Sequence, residues 1–213
     1  MKITPFELEL YEKLSSFFTE SGFVLLAEKK QFRKVTNLGF QNVIFSLSDY
    51  GNEVWLEVNF GLRHHEIEKI AQQFLGNAEE YRADANTLVI SIGKFNNAKY
   101  FRYKMQTSSD LEDACEEIKR FLAHQGFPFL EAHQPLSELN RLFNTKPYSP
   151  CKYLYNQVHR CFKGIVAARL LSSDDFIDLS DQYRHQLVRI GASGEDLLNF
   201  EKMLSFLLYQ SVN

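Results

Sequence analysis

The N-terminal segment carries apolar residues at helical spacing, three or four positions apart. The members of this apolar face are Phe6, Leu10, Leu14, Phe17 and Phe18. Thr4 and Glu7 have the spacing of a capping box, and Pro5 suits the first helical turn. We expect the helix to end at Gly22, because glycine adopts the left-handed conformation of a helix end at little cost.

Apolar and polar positions then alternate with a period of two, which is typical of strands with one buried face. Residues 40–48 and 53–61 show this pattern, and the turn signal Asp49-Tyr50-Gly51-Asn52 joins them. In the second segment the inward residues are Val54, Leu56, Val58 and Phe60, and the outward residues are Trp55, Glu57 and Asn59. The pattern predicts an antiparallel hairpin. Residues 23–34 are predicted as two shorter strands.

A second strand pair is predicted at residues 87–93 and 99–106. In the latter, Phe101 and Tyr103 alternate with Arg102 and Lys104, so we place the two aromatic residues in the core. The predicted core set is Phe6, Leu14, Phe17, Phe45, Leu56, Val58, Phe60, Phe101 and Tyr103.

After Thr107 the apolar spacing becomes helical and stays so. The predicted helices are 109–125 with a Ser109/Glu112 capping box and an end at Gly126, 129–144 broken by Pro135, 151–171, 173–190, and 194–210 capped by Ser193 and Asp196. The fold class is therefore α+β, with a mostly antiparallel sheet and flanking helices followed by an all-helical C-terminal half. The proline-containing segment 144–150 divides a sheet domain (1–145) from a three-helix region (146–213) that packs on it or forms one domain with it.

The composition indicates the class of protein but says little about what chemistry the protein performs. The chain has 213 residues, 45% of them hydrophobic and 24% charged, which is ample for a packed core. A net charge of −3 makes nucleic acid an unfavoured partner. The cysteines are odd in number, and they form no C-x-x-C pair. No signal peptide or membrane-length apolar run is present. We therefore expect a cytoplasmic protein with no membrane association.

No motif assigns a catalytic residue, a metal or a cofactor. His64, His65 and Glu68 are close in sequence, but adjacent histidines point about 100° apart on a helix, and no third ligand is evident. Cys161 lies in an apolar helical stripe, which favours a buried, inert thiol. The S-x-x-K pattern at residues 149–152 lacks its companion motifs. Whether the protein is an enzyme stays open.

The outward positions of the predicted strands are the most informative feature. If the three segments that contain Arg33, Trp55 and Arg102 are neighbours in the sheet, these positions bring the only tryptophan together with basic, acidic and amide groups, in a set that we call the tryptophan face. Its members are Trp55, Glu57, Asn59, Arg33, Arg102 and Lys104. Tryptophan and arginine dominate binding hot spots, so this set predicts a partner-binding surface. The alternative is a sheet face that is merely exterior, or one that is covered by the C-terminal helices.

The N-terminal half resembles a group of uncharacterised bacterial domains of unknown function. The resemblance rests on a helix, Gly22-Phe23, the extended segment with Phe32-Arg33, and a hairpin ending in Val58-Asn59-Phe60-Gly61. It covers about the first 106 residues and excludes the chain from Lys146 onward. Some comparable small α+β proteins serve as immunity or regulatory partners, which implies an interaction role and assigns no catalytic residue.

Three functions follow as hypotheses. The first is a non-enzymatic interaction or regulatory protein that recognises a macromolecular partner through the tryptophan face or the helical tail. The second is a small-molecule enzyme or binding protein in which Arg33 and Arg102 grip an anionic ligand, with His64 or His65 as the acid or base. The third, disfavoured by the net charge, is nucleic-acid binding through Lys29, Lys30, Arg33, Lys34, Lys99, Arg102 and Lys104.

Overall fold

The structure is a computed structural model that describes residues 4–98 and 100–209. It has the α+β class that the sequence predicts, with an antiparallel sheet, flanking helices and a helical C-terminal half. In chain order the elements are α1 (Pro5–Glu20), β1 (Val24–Leu26), β2 (Gln31–Thr36), β3 (Gly39–Asp49), β4 (Val54–His64), α2 (His65–Ala71), α3 (Glu79–Arg82), β5 (Leu88–Ser91), α4 (Ile92–Phe95), β6 (Tyr103–Met105), α5 (Ser108–Phe121), α6 (Phe127–His133), α7 (Leu136–Asn144), α8 (Gln157–Leu170), α9 (Phe176–Arg189) and α10 (Gly194–Tyr209).

The described residues form two compact units, each built from two stretches of chain. Unit 1 comprises those within Met1–Leu62 and Val89–Glu131, and unit 2 those within Arg63–Leu88 and Ala132–Asn213. The division of the chain at residues 145 and 146 stays a prediction. None of the helices in the described ranges has both the length and the apolar character needed to cross a bilayer.

The sheet has the strand order β1-β2-β3-β4-β5, and β6 also pairs with β4. The predicted hairpin is confirmed as β3 and β4, closed by a hydrogen bond from the Tyr50 amide to the Glu53 carbonyl oxygen at 2.9 Å. β6 runs antiparallel to β4, with Trp55 opposite Lys104 and Leu56 opposite Tyr103. This register decides which side chains of the two strands share a face.

Helix α1 begins and ends where the sequence predicts. The Thr4 hydroxyl accepts a hydrogen bond from the Glu7 amide, and the Glu7 carboxylate accepts one from the Thr4 amide at 2.8 Å. These bonds satisfy two of the amides that a helix start leaves without partners. Gly22 follows the helix with φ of +82°, a conformation in which a Cβ would be strained.

The core of unit 1 is mainly aromatic. The Phe18 and Phe32 rings stack with centroids 4.1 Å apart, and both lie edge-on to Phe45. A second cluster forms around Phe60, which is fully buried. Of the predicted core set, Leu14, Phe45, Leu56, Val58 and Phe60 are buried, whereas Phe6, Phe17 and Tyr103 are half-buried.

The prediction was wrong for Phe101, which is 39% exposed. β6 begins only at Tyr103, and the expected strand at 87–93 ends at Ser91. The Ser91 hydroxyl accepts a hydrogen bond from the Lys94 amide and starts the short helix α4. A short apolar run is compatible with either a strand or a helix, and here the cap decides.

Two predicted features of α5 are also corrected. Its capping box is formed by Thr107 and Asp110, two residues before the predicted pair. The chain does not end its helix at Gly126 but passes through a π-helical segment, Leu122–Gly126, into α6. A Cβ on Gly126 would lie 2.8 Å from Leu122 Cδ2, so this glycine serves close packing rather than a helix end.

Among the C-terminal helices, the predicted break at Pro135 is confirmed, since α6 ends before it and α7 starts after it. The predicted start of the next helix at residue 151 was wrong, because α8 begins at Gln157. Asn156 caps it, with Oδ1 accepting hydrogen bonds from the amides of Val158 and His159. The Ser193 hydroxyl caps α10 as predicted, accepting a hydrogen bond from the Asp196 amide at 3.1 Å.

Candidate functional site

The outward side chains of β4 and β6 form a cluster within unit 1. Trp55 and Glu57 alternate along β4 with the buried residues Leu56 and Val58. Lys104 lies opposite Trp55 on β6, because of the antiparallel register. Four members of the tryptophan face, namely Trp55, Glu57, Arg102 and Lys104, therefore lie together.

Trp55 is the centre of this cluster. The Lys104 Nζ lies 4.4 Å from the centroid of the Trp55 ring, which is a cation–π contact. The Tyr50 ring, 55% exposed, lies 5.0 Å from it at an interplanar angle of 57°. Trp55 itself is half-buried, and its indole Nε1 has no hydrogen-bond acceptor among the described residues. Tyr50 was not among the predicted site residues, although its place in the turn between two strands left it free to face outward.

A charged pair flanks the aromatic contact. The Arg102 Nη2 lies 3.7 Å from the Glu57 Oε2, and both side chains are partly exposed. An exposed pair of this kind contributes little to stability, about 0–1 kcal/mol. It therefore holds the two side chains loosely, and either can exchange its partner for a group on another molecule.

The remaining members lie apart from this centre. Arg33 is on β2, where its guanidinium carbon lies 3.9 Å from the centroid of the Phe40 ring. β2, β3, β4 and β6 follow one another across the sheet, so β2, which carries Arg33, lies about 14 Å from β6, which Arg102 directly precedes, at ~4.8 Å per strand. Asn59 is half-buried, two positions beyond Glu57 on β4.

The basic residues of the nucleic-acid hypothesis do not present one free surface. Lys30 Nζ lies 2.5 Å from the Glu7 Oε1, and Lys34 Nζ lies 3.7 Å from the Glu131 Oε1. Lys99 lies outside the described residues.

Unit 2 contains a buried ion pair that the sequence did not reveal. The Lys163 Nζ lies 3.0 Å from the Glu68 Oε1, and both side chains are at most 3% exposed. Glu68 also accepts hydrogen bonds from the Thr87 hydroxyl at 2.8 Å and from the Gln72 amide at 2.7 Å. Lys163 donates a second hydrogen bond to the Asn86 carbonyl oxygen. Both charges therefore have partners within the unit.

Two histidines adjoin this pair without completing a reactive site. Burial lowers the pKa of His64, and burial together with the charge of Lys163 lowers that of His159. The neighbouring Cys161 is fully buried, as predicted, and burial raises its pKa to about 12, so its thiol is a poor nucleophile. Over the described ranges, no group of three or more His, Cys, Asp or Glu side chains is placed to hold a metal ion.

Comparison with known proteins finds no match. No family model, no curated protein and no solved structure matches the chain. The resemblance to bacterial domains of unknown function therefore stays a prediction.

Proposed function

We propose that the chain is a non-enzymatic interaction or regulatory protein of the immunity type, acting in the bacterial cytoplasm. It recognises a macromolecular partner through the tryptophan face. The observation that carries the proposal is the packing of Trp55 with Tyr50 and Lys104, beside the exposed pair Arg102–Glu57.

The chemistry of this cluster suits a protein partner. Trp, Tyr and Arg are the residue types that contribute most to interface hot spots. Here an aromatic pair supplies rigid apolar area, and the charged groups around it can fix the orientation of a partner. Strands β4 and β6 hold Trp55, Glu57 and Lys104 in a defined order.

The rival hypothesis, an anionic ligand shared by Arg33 and Arg102, is less well supported. Arg33 is on β2 and Arg102 directly precedes β6, two strands about 14 Å apart, and each side chain already has a partner near its own strand. A small anion in contact with both would require both side chains to leave their present contacts. The geometry therefore favours a broad partner surface.

The test is affinity capture from the native cell with a face variant and a matched control. In the face variant, Arg102→Ala and Lys104→Ala remove two exposed cations. In the control, Lys69→Ala and Lys202→Ala remove two exposed cations from other helices. A separate Trp55→Ala variant, with its melting temperature recorded, tests the aromatic centre.

We expect the wild type and the control to retain the same partner and the face variant to lose it. In a titration with the purified partner, Trp55→Ala should weaken binding by about 30-fold or more, the equivalent of about 2 kcal/mol. Equal capture by the face variant and the control would contradict the proposal.

A further inference from the structure

On the side of β6 opposite the tryptophan face, unit 1 contains a concavity, which we call the tyrosine groove. It has a volume of about 420 Å³ and is lined by Phe101, Tyr103, Phe121, Glu117, Arg120 and His124, among others. Ligand sites are commonly of about 300–1,000 Å³, apolar, and lined by a few polar groups. The groove lies between β6 and the helical face of α5, away from the outward side chains of Arg102 and Lys104.

The floor of the groove is aromatic and fixed in place. The Phe101 and Tyr103 rings meet edge to face, with centroids 4.8 Å apart and an interplanar angle of 81°. Phe121 is packed from behind by Phe60 at 5.4 Å. Gly93 allows Phe101 its position, because a Cβ there would lie 2.4 Å from the Phe101 Cβ. The floor therefore offers ring surfaces for contact with a planar group.

The charged groups on the helical side are unpaired. Glu116 and Lys119 form an ion pair of 2.8 Å at the i,i+3 spacing. Glu117 and Arg120 have the same spacing and line the groove, yet within residues 4–98 and 100–209 neither forms an ion pair. A carboxylate and a guanidinium thus stand about 5–6 Å apart at their Cβ atoms, without partners, above an aromatic floor.

Two further features point to a ligand. Burial, together with the nearby Glu117 carboxylate, raises the pKa of Tyr103, so its hydroxyl stays protonated and can donate. This hydroxyl makes no hydrogen bond with any other described residue. His124 reaches the groove from the π-helical segment Leu122–Gly126. Such segments are rare, and they occur frequently at functional sites.

We propose that the tyrosine groove binds a free aromatic α-amino acid. The ring lies against Phe101, Tyr103 and Phe121, the ammonium group meets Glu117, and the carboxylate meets Arg120. The adjacent positive and negative groups of an amino acid match the spacing of this acid and base on one helical face. A ligand with only one charge would leave either Glu117 or Arg120 unmatched. The inference is independent of the partner surface, which uses the opposite side of β6.

The test is a titration of the purified full chain followed by nuclear magnetic resonance. The probes are L-phenylalanine, 3-phenylpropionate, which lacks the ammonium group, 2-phenylethylamine, which lacks the carboxylate, and L-leucine, which lacks the ring. We expect saturable binding of L-phenylalanine, with shifts centred on Phe101, Tyr103 and Phe121. 3-Phenylpropionate and 2-phenylethylamine should bind about tenfold or more weakly, since a hydrogen bond to a charged group contributes about that factor. L-leucine should also bind more weakly, because it lacks the aromatic contacts with the floor of the groove.

Two variants assign the charges to their partners. Glu117→Gln should weaken L-phenylalanine to the level of 3-phenylpropionate while leaving 3-phenylpropionate nearly unchanged. Arg120→Gln should weaken L-phenylalanine to the level of 2-phenylethylamine while leaving 2-phenylethylamine nearly unchanged. Glu116→Gln, whose side chain is paired with Lys119, is the control and should bind like the wild type.

The proposal is overturned if the wild type shows no saturable shifts in the groove, or if the three analogues bind as well as L-phenylalanine. Equal effects of Glu116→Gln and Glu117→Gln would overturn it too. If the amide spectrum of a variant shows that it is unfolded, the titrations of the wild type with the four probes decide whether the proposal holds. If the chain captures its partner but does not bind L-phenylalanine, the amino-acid proposal fails and the proposed partner-binding function stands.

Discussion

The two compact units bury different chemistry. Unit 1 packs aromatic rings, with Phe18, Phe32 and Phe45 at its centre. Unit 2 instead buries two cations on α8, Arg160 and Lys163, each at most 2% exposed. The burial of these rings is driven by the hydrophobic effect, which is non-directional. Buried charges require partners at defined positions, and without them the desolvation cost is uncompensated.

Arg160 illustrates how such partners are found. Its guanidinium donates to the carbonyl oxygens of Pro147 and Ser149, which fixes the segment between α7 and α8. On the same helix Gly164 makes room for Tyr183, whose hydroxyl donates to the Asn144 Oδ1 at 2.5 Å. Helix α8 therefore organises unit 2 by polar contacts as well as by apolar ones, and it holds part of the proline-containing segment 144–150.

The largest effect is expected from breaking the buried ion pair. Lys163→Met leaves the Glu68 carboxylate buried without its cation, which should reduce the free energy of unfolding by about 3–5 kcal/mol. Chemical denaturation measures this difference. The matched control Lys119→Met breaks an exposed pair with Glu116 and should change stability by less than about 0.5 kcal/mol.

The double variant Glu68→Leu/Lys163→Met tests whether the loss of unfolding free energy in Lys163→Met comes from the unpaired Glu68 charge. Replacing both members of a buried pair by apolar residues is often neutral, so we expect most of the stability to return. A double variant as unstable as the single one would show that the cost comes from the lost hydrogen bonds of Thr87, Gln72 and Asn86, or from the change of shape, rather than from the orphaned charge.

In unit 1 the corresponding change is Phe45→Ala, which removes a ring that contacts Tyr11, Phe18 and Phe32. We expect a loss of about 3 kcal/mol, because neighbouring rings can close part of the cavity. Phe101→Ala serves as the control. Since Phe101 is 39% exposed, its loss should cost under about 1 kcal/mol. Similar costs for the two variants would contradict the assigned packing.

This contrast explains what could be predicted from the sequence. The capping box of α1 and the period of two in β4 are local signals. The hairpin and the face of the sheet on which Trp55 lies were therefore predictable. Glu68 and Lys163 lie on different helices, far apart in the chain, and each alone resembles a surface charge. No local pattern indicates that such residues meet. The same holds for Arg33, whose predicted place beside Trp55 depended on a strand order that alternation does not specify.

A smaller effect is expected at Glu7, a buried carboxylate in unit 1. Burial acts to raise its pKa, but the hydrogen bond and charge of Lys30 and the bonds with Thr4 outweigh it, so the pKa is lowered. Stability from this group is therefore present above the unfolded pKa of about 4.3 and is lost as the pH falls through the folded pKa. We expect Glu7→Gln to lower stability by about 1–2 kcal/mol at pH 7 and to flatten its acid dependence.

Denaturation at several pH values between about 7 and 3 measures this dependence. Glu12→Gln, which removes an exposed carboxylate of the same helix, controls for the change in net charge. A variant at Glu7 whose stability falls with acid as steeply as that of the control would contradict the assignment.

The smallest effect is expected at the tryptophan face, where charges are exposed. A double-mutant cycle between Trp55 and Lys104 should give a coupling of about 0.5–1 kcal/mol, the usual size of an exposed cation–π contact. Raising the salt concentration to 1 M should reduce it, because the screening length falls to about 3 Å. The buried Glu68–Lys163 coupling should change little under the same conditions, since its members are shielded from ions. A large, salt-insensitive coupling at Trp55 would mean that the cluster is built for stability. A weak one would leave its side chains free to exchange contacts with a partner, as the proposed function requires.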